Sequence, residues 1–259
     1  MNVGKLAECK PRDRGQLLAG VLAGLEDGEQ ALYMMTADSE KLKTMPDFLF
    51  VTRRGMIKRT AAADYDVRSR KYPALSLRKD DTLLDVRPAD EAKDVLLITR
   101  GGMSIRFPLS GVPVQGRIAS GVRAMAVESG DEVFSFRQLA EGDEVILFSE
   151  RGWAKRIPQL DFEPQNRSGK GVRCFYFNKN GSNGRTIAGV CVLPESVQCT
   201  LLVSQLRSPV TKLNRNEILL QNRSGKGMPY IMAILDDVVT SLTPVLIPPA
   251  PAPEGEGGA

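Results

Sequence analysis

Four stretches decide the reading of this chain: FLFVTRRGMIKRT (48–60), VLLITRGGMSIRF (95–107), VILFSERGWAKRI (145–157) and LLVSQLRSPVTKL (201–213). Each is a run of β-branched and aliphatic residues, too short for a helix, that enters a turn and then reaches basic positions. The turns centre on Gly55, Gly102, Gly152 and Ser208, about fifty residues apart, which is the spacing of propeller-like blades. Glycine supplies the positive φ that a tight hairpin needs. Four positions after each turn stands a base, Arg59, Arg106, Arg156 and Lys212, and fifteen positions after it Arg70, Arg117, Arg167 and Arg223. Nineteen positions after it stands a small residue, Ala74, Gly121, Gly171 and Gly227. Hydrophobics recur for packing, whereas recurring arginines mark a surface built to meet something negative.

The pattern predicts an all-β chain of about five blades, each of about four strands. Blades are expected over 47–93, 94–142, 143–197 and 198–242, preceded by an atypical or incomplete first one over 1–46. That opening segment follows the repeat only in part: Gly20-Val21 before GLEDGE matches Gly121-Val122 before VESGDE, with one residue deleted. GVRAMAVESGDEVFSF (121–136) reads as a second hairpin with Ser129-Gly130-Asp131 at its tip, and the best helical pattern lies at 34–45. TPVLIPPAPAPEGEGGA (243–259), rich in Pro and Gly, reads as a flexible tail.

The charge sum is modest, 35 bases against 31 acids for a net +4, so the placement of the bases carries the argument. Acids gather in GLEDGE, ESGDE and AEGDE, which read as solvated turns, while many bases fall in the repeated landmarks. The chain has no histidine, which removes histidine acid–base catalysis, the Ser/His triad and histidine-containing zinc sites. Cys9, Cys174, Cys191 and Cys199 show no CxxC spacing and read as buried thiols of a reducing, cytoplasmic protein. No signal peptide and no apolar span of about twenty residues is present, so no membrane partner is expected. The Gly-Lys-Gly strings at 169–171 and 225–227 are not phosphate loops, because Pro164 and Leu220 stand where that motif needs glycine and no Ser or Thr follows the lysine.

These landmarks, with QNRSGKG present at 165–171 and again at 221–227, resemble the C-terminal domain of the A subunit of bacterial type IIA topoisomerases, DNA gyrase and topoisomerase IV. The likeness covers nearly all of residues 1–242. It implies a β-pinwheel, a disc of four-stranded blades that exchange strands, with duplex DNA bent around a basic rim. QNRSGKG is similar to the gyrase box QRRGGKG, which in gyrase lies in the first blade. Here the matching place reads PRDRGQLLAG (11–20), without the Gly-Gly pair or the lysine. That departure favours a topoisomerase IV subunit, which guides DNA for decatenation and relaxation, over a gyrase that wraps DNA to supercoil it. By the same resemblance the chain has no catalytic residue, cofactor or metal of its own. The whole enzyme would add a cleavage region N-terminal to this domain, working with Mg²⁺, and a B subunit that hydrolyses ATP.

Bent DNA is gripped through its phosphates, which calls for long cationic side chains on rigid turns, with glycine beside them for close approach. Arg167, Lys170, Arg223 and Lys226 of the two boxes fit best, then Arg59, Arg106, Arg156 and Lys212, with Arg70, Arg117, Lys58 and Lys155 completing the candidates. A second reading stays open for Arg70, Arg117, Arg167 and Arg223, as staples between blades. Trp153 stands where Met56 and Met103 stand in other units and reads as packing. A scaffold binding an acidic protein partner would use the same basic surface.

Overall fold

An apolar run stays a strand when its alternate side chains find cover, and each of the four quoted runs does so. The structure, a computed structural model, describes residue 4 and residues 6–10, 12–22, 24–69, 71–234 and 236–247. Two short helices, α1 (Leu18–Val21) and α2 (Ser39–Thr44), precede β1 (Phe48–Thr52), β2 (Met56–Thr60) and β3 (Leu83–Pro88). There follow β4 (Asp94–Thr99), β5 (Met103–Pro108), β6 (Val122–Arg123) and β7 (Val133–Leu139), then β8 (Asp143–Ser149), β9 (Trp153–Pro158), β10 (Val172–Arg173) and β11 (Ile187–Pro194). The last set is β12 (Cys199–Gln205), β13 (Thr211–Asn214), β14 (Met228–Pro229) and β15 (Val239–Leu246).

The chain divides into two compact units, residues 1–91 with 110–124, and residues 92–109 with 125–259. The first unit holds one sheet, ordered β3-β1-β2-β6. The second holds three, β10-β5-β4-β7, β11-β8-β9-β14 and β13-β12-β15. The rule behind these orders is strand exchange. A hairpin's second strand receives on its free edge a two-residue strand that the chain makes only after the next hairpin: β6 on β2, β10 on β5, β14 on β9. The result is an all-β pinwheel of blades. Among the described residues β13 receives no such strand, and its sheet stops at three.

The structure departs from the sequence expectations in three places, the first of them because of exchange. Residues 121–136 are not a hairpin, because β6 belongs to the sheet of β2 and β7 to the sheet of β4, although the turn at Gly130 (φ +84°) does form. Residues 243–246, expected in the tail, are the end of β15, where Thr243 pairs with Leu202 and Leu246 with Cys199. Residues 248–259 of that tail lie outside the described residues. The opening segment forms no strand among the described residues before Phe48. It lends Met35, Leu42 and Met45 to the core of the first unit, around Phe48, Phe50, Ala62 and Val86, with Asp38 capping α2 through the Lys41 N–H at 2.7 Å.

In the second unit β8 is buried along its whole length because its two faces serve two cores. Val145 and Leu147 pack with Leu96, Ile98, Ile157 and Phe175, while Ile146 and Phe148 pack with Leu201, Val203, Ile218 and Val239. Such a strand reads as a continuous apolar run. β12 shows period-2 burial instead, with Cys199, Leu201 and Val203 inside.

Candidate nucleic-acid interface

The segments that carry the exchanged strands, residues 113–123, 164–173 and 220–229, are where the repeated bases meet. Each enters as a parallel bridge onto the repeated arginine of the hairpin, Val114 on Arg59, Pro164 on Arg106 and Leu220 on Arg156. The carbonyls of those arginines accept the amides of Gln115, Gln165 and Gln221 at 2.7–2.8 Å. Each segment then passes a glycine of positive φ, Gly121, Gly171 or Gly227, before its two-residue strand. The amides that follow donate to the turn glycines: Ala124 to Gly55, Cys174 to Gly102, Tyr230 to Gly152. The small residue nineteen positions after the turn is thus the place where exchanged backbone touches its host.

That geometry overturns part of the sequence reading of the bases. Arg59, Arg106 and Arg156 are largely buried, not presented to solvent. They pair with acids at the start of their own hairpins, Asp47 at 2.6 Å, Asp94 at 2.7 Å and Glu144 at 2.9 Å. Arg59 also pairs with Glu91. The free edge of the guanidinium reaches the crossing segment, Arg106 donating to the Phe162 carbonyl at 2.9 Å and Arg156 to the Ile218 carbonyl at 3.1 Å. An exchange repeated in three blades needs its staple repeated, so packing does have a use for a recurring arginine. Lys212, on the blade without an added strand, stays exposed.

Lys58 and Lys155 are corrected more sharply, for both are buried. The Lys155 ammonium donates to the carbonyls of Asn222 (3.1 Å), Arg223 (2.6 Å) and Gly225 (2.7 Å). Lys58 donates to Ala74 O at 2.7 Å, Tyr65 Oη at 3.3 Å and the Arg117 carbonyl. With every N–H used and no path to solvent, neither can grip a phosphate. Burial lowers each amine to about 8.

The arginines fifteen positions after the turn divide. Arg117 donates to the Pro73 carbonyl at 2.9 Å and lies over the Tyr72 ring. Arg223 donates to the carbonyls of Asp161 at 3.0 Å and Arg173. Both serve partly as staples. Arg167 is half-buried with its guanidinium 3.4 Å from Ser168 Oγ, and Arg70 lies outside the described residues. Lys170 is 75% exposed and only loosely paired with Glu128, at 3.6 Å, and Lys226 is exposed. The sequence reading passed over Arg123 and Arg173, exposed at the ends of β6 and β10. The recurrent Gly-Val-Arg was the signal for them. It also missed Arg215, fully buried on Glu144 and on the carbonyls of Pro194 and Val197.

Several acids read as solvated are structural too: Asp131 accepts the Gly101 and Glu132 amides, and Glu144 is buried between Arg156 and Arg215. Trp153 is packing, as expected, against the core of Val145 and Leu147. Cys174, Cys191 and Cys199 are buried free thiols, whereas Cys9 is exposed. Among the described residues no cluster of three metal-ligating side chains occurs, and no helix is long and apolar enough to cross a membrane. What remains at the surface of the exchange segments is a set of cations on tied-down backbone: Arg123 in the first unit, and Arg167, Lys170, Arg173, Lys226 and part of Arg223 in the second. Such a set suits phosphate oxygens.

Comparison with known proteins shows the family and the fold. The family model "DNA gyrase C-terminal domain, beta-propeller" matches residues 46–90, 93–139 and 143–183. The DNA gyrase A protein of Kosmotoga olearia is 35% identical over 131 residues, 49% of this chain and 16% of that protein. The chain therefore spans about one sixth of the length of this curated relative. The solved C-terminal domain of a DNA topoisomerase IV superposes with a TM-score of 0.80 at 24% identity, covering 90% of this chain and 71% of the other. A DNA gyrase A C-terminal domain superposes with a TM-score of 0.73 at 18% identity, covering 90% and 75%. Both structural likenesses establish the fold.

Proposed function

Because the chain belongs to the family of DNA gyrase C-terminal domains with the β-propeller fold, we propose that it binds duplex DNA through its exchange segments and bends it, as the non-catalytic DNA-handling part of a type IIA topoisomerase. The observation that carries the reading is the second unit's pair of QNRSGKG segments, each fixed by backbone exchange and each leaving an exposed lysine, Lys170 or Lys226. Phosphate contact without base contact is what such side chains supply. Bending a site of a few turns costs on the order of 1–6 kcal/mol, so several blades must contribute contacts.

A topoisomerase IV role, presenting a transported duplex for decatenation or relaxation, is favoured by the first repeat, where residues 11–20 lack the Gly-Gly pair and lysine of a gyrase box. The cytoplasmic whole enzyme would add the N-terminal cleavage region with its Mg²⁺ and an ATP-hydrolysing B subunit. The alternative is a gyrase domain that wraps DNA, favoured by the names of the curated relatives and by boxes in later repeats.

The test is to incubate the protein with nicked circular DNA at low salt, reseal with ligase and measure the linking number. Salt-sensitive retardation with no linking shift supports bending of the topoisomerase IV kind. A directional shift that grows with protein supports wrapping. No retardation removes the DNA reading and leaves a scaffold for an acidic protein.

A further inference from the structure

We propose that Lys155 is a positioning residue for DNA binding: its buried ammonium sets the backbone of loop 221–227, so that Lys226 and the outer part of Arg223 meet phosphates in a preset arrangement. The proposal rests on the reading of the chain as a DNA-binding domain. It concerns a lysine that touches no DNA.

Lys155 sits in β9 directly under the loop, with its ammonium 5.4 Å from the Phe175 ring centroid. Its three N–H groups meet three carbonyls of one loop, those of Asn222, Arg223 and Gly225. A single cation that gathers three carbonyls from four consecutive residues fixes the path of that backbone. The loop is closed further by Gln221 Oε1, which accepts the Gly227 amide at 3.2 Å, and by the Asp161 carboxylate, which accepts the Arg223 amide at 3.0 Å. A side chain projected from fixed backbone loses less freedom when it binds.

The same seven residues at 165–171 lack this device. The position under them, matching Lys155 in strand register, is Ile105, just as Leu97 pairs with Ile105 where Leu147 pairs with Lys155. Ile105 packs beneath Gly169, its Cδ1 3.7 Å from where a Cβ on that glycine would stand. The two heptapeptides are identical in sequence and differ in conformation: Ser168 has a positive φ of 76°, and Ser224 does not. The difference therefore comes from their surroundings: Lys155 and the Asp161 carboxylate at one loop, Ile105 at the other. The structure thus pairs a box held by an internal cation with a copy that rests on a hydrocarbon.

Hydrogen exchange on the unmodified protein gives the first readout. Amides of 221–227 should exchange more slowly than those of 165–171, and Ile105→Lys should raise protection over 165–171. Equal exchange of the two loops in the wild-type protein overturns the proposal, whether or not any variant folds. Two mutant cycles read by fluorescence anisotropy on a short duplex give the second. Lys155→Met should weaken binding about five- to tenfold, and Lys226→Ala should then cost nothing further, while Lys170→Ala keeps its full cost in the Lys155→Met background. Costs of Lys155→Met and Lys226→Ala that simply add, or equal coupling of Lys155 to Lys170 and Lys226, overturn it. Absence of salt-sensitive binding by the wild-type protein refutes the DNA reading instead, and faster exchange over 221–227 in Lys155→Met would then leave Lys155 as a loop-fixing residue only.

Discussion

A Cβ on Gly171 would stand 2.2 Å from the carbonyl oxygen of Ser104, closer than any side chain can approach. Gly171 also has a φ of +76°, so alanine there meets both backbone strain and collision with the host strand β5. Gly171→Ala should cost at least about 3 kcal/mol, combining a left-handed penalty of about 1–2 kcal/mol with loss of the exchanged strand. Urea denaturation checks it. Gly169→Ala, two residues away, has its nearest neighbour at 3.6 Å and should cost less than about 1 kcal/mol. Equal costs would show that the exchanged strand contributes little to stability.

Ser168 carries a side chain at a positive φ of 76°, in the place where the gyrase box has glycine. Ser168→Gly should relieve about 1–2 kcal/mol of strain against about 0.4–1 kcal/mol of added unfolded-chain entropy, a net gain of about 0.5–1 kcal/mol. The midpoint of chemical denaturation should rise. Ser224→Gly, at a position without that strain, should be neutral or destabilising, so a matching rise at both sites would contradict the strain argument.

The blade repeat was legible because hydrophobic runs, turn glycines and the glycine at plus nineteen all have local causes: a strand needs cover, a hairpin needs positive φ, and Gly121 must pass under the Ile57 carbonyl. The site was legible only in part, because exchange is non-local. Nothing near Lys155 in sequence announces that carbonyls from residues 222–225 will enclose its amine, and Asp94 lies twelve residues from the Arg106 it neutralises. A recurring base therefore has two causes that look alike in sequence, a phosphate to hold or a crossing segment to staple. Burial separates them.

That separation can be measured. Arg106 is 13% exposed and pairs with Asp94 and the Phe162 carbonyl, so Arg106→Met leaves a half-buried carboxylate without its partner and should cost about 3 kcal/mol of stability. Lys170→Ala removes only a loose surface pair and should leave stability within about 0.5 kcal/mol. On DNA the order reverses: Lys170→Ala should lower affinity and reduce the slope of log affinity against log salt by about 0.9. Thermal melts and anisotropy titrations at several salt concentrations report the two quantities. An unchanged salt slope would remove Lys170 from the interface.

Burial lowers the Lys155 amine from its ordinary 10.5 to about 8, with the Asp161 carboxylate and the Cys174 thiol opposing the shift and the Arg223 guanidinium adding to it. Between those two values the unfolded chain holds a proton that the folded chain has released, so this group's contribution to stability rises with pH in that window and is flat below it. Cys174 acts in the opposite sense, because burial raises its thiol from 9.0 to about 11, and stability tied to it falls as pH climbs through that range. A melt of the wild-type protein alone would mix the two effects. The difference between wild type and Lys155→Met isolates the amine up to about pH 10, because the Lys155 charge alters the thiol only through its folded value, which lies higher, at about 11. That difference, the cost of the substitution, should be constant up to about pH 8 and grow toward pH 10. Denaturant titrations at half-unit steps of pH measure it, and a cost that stays level across the window would mean that the amine keeps its proton inside the carbonyl cage.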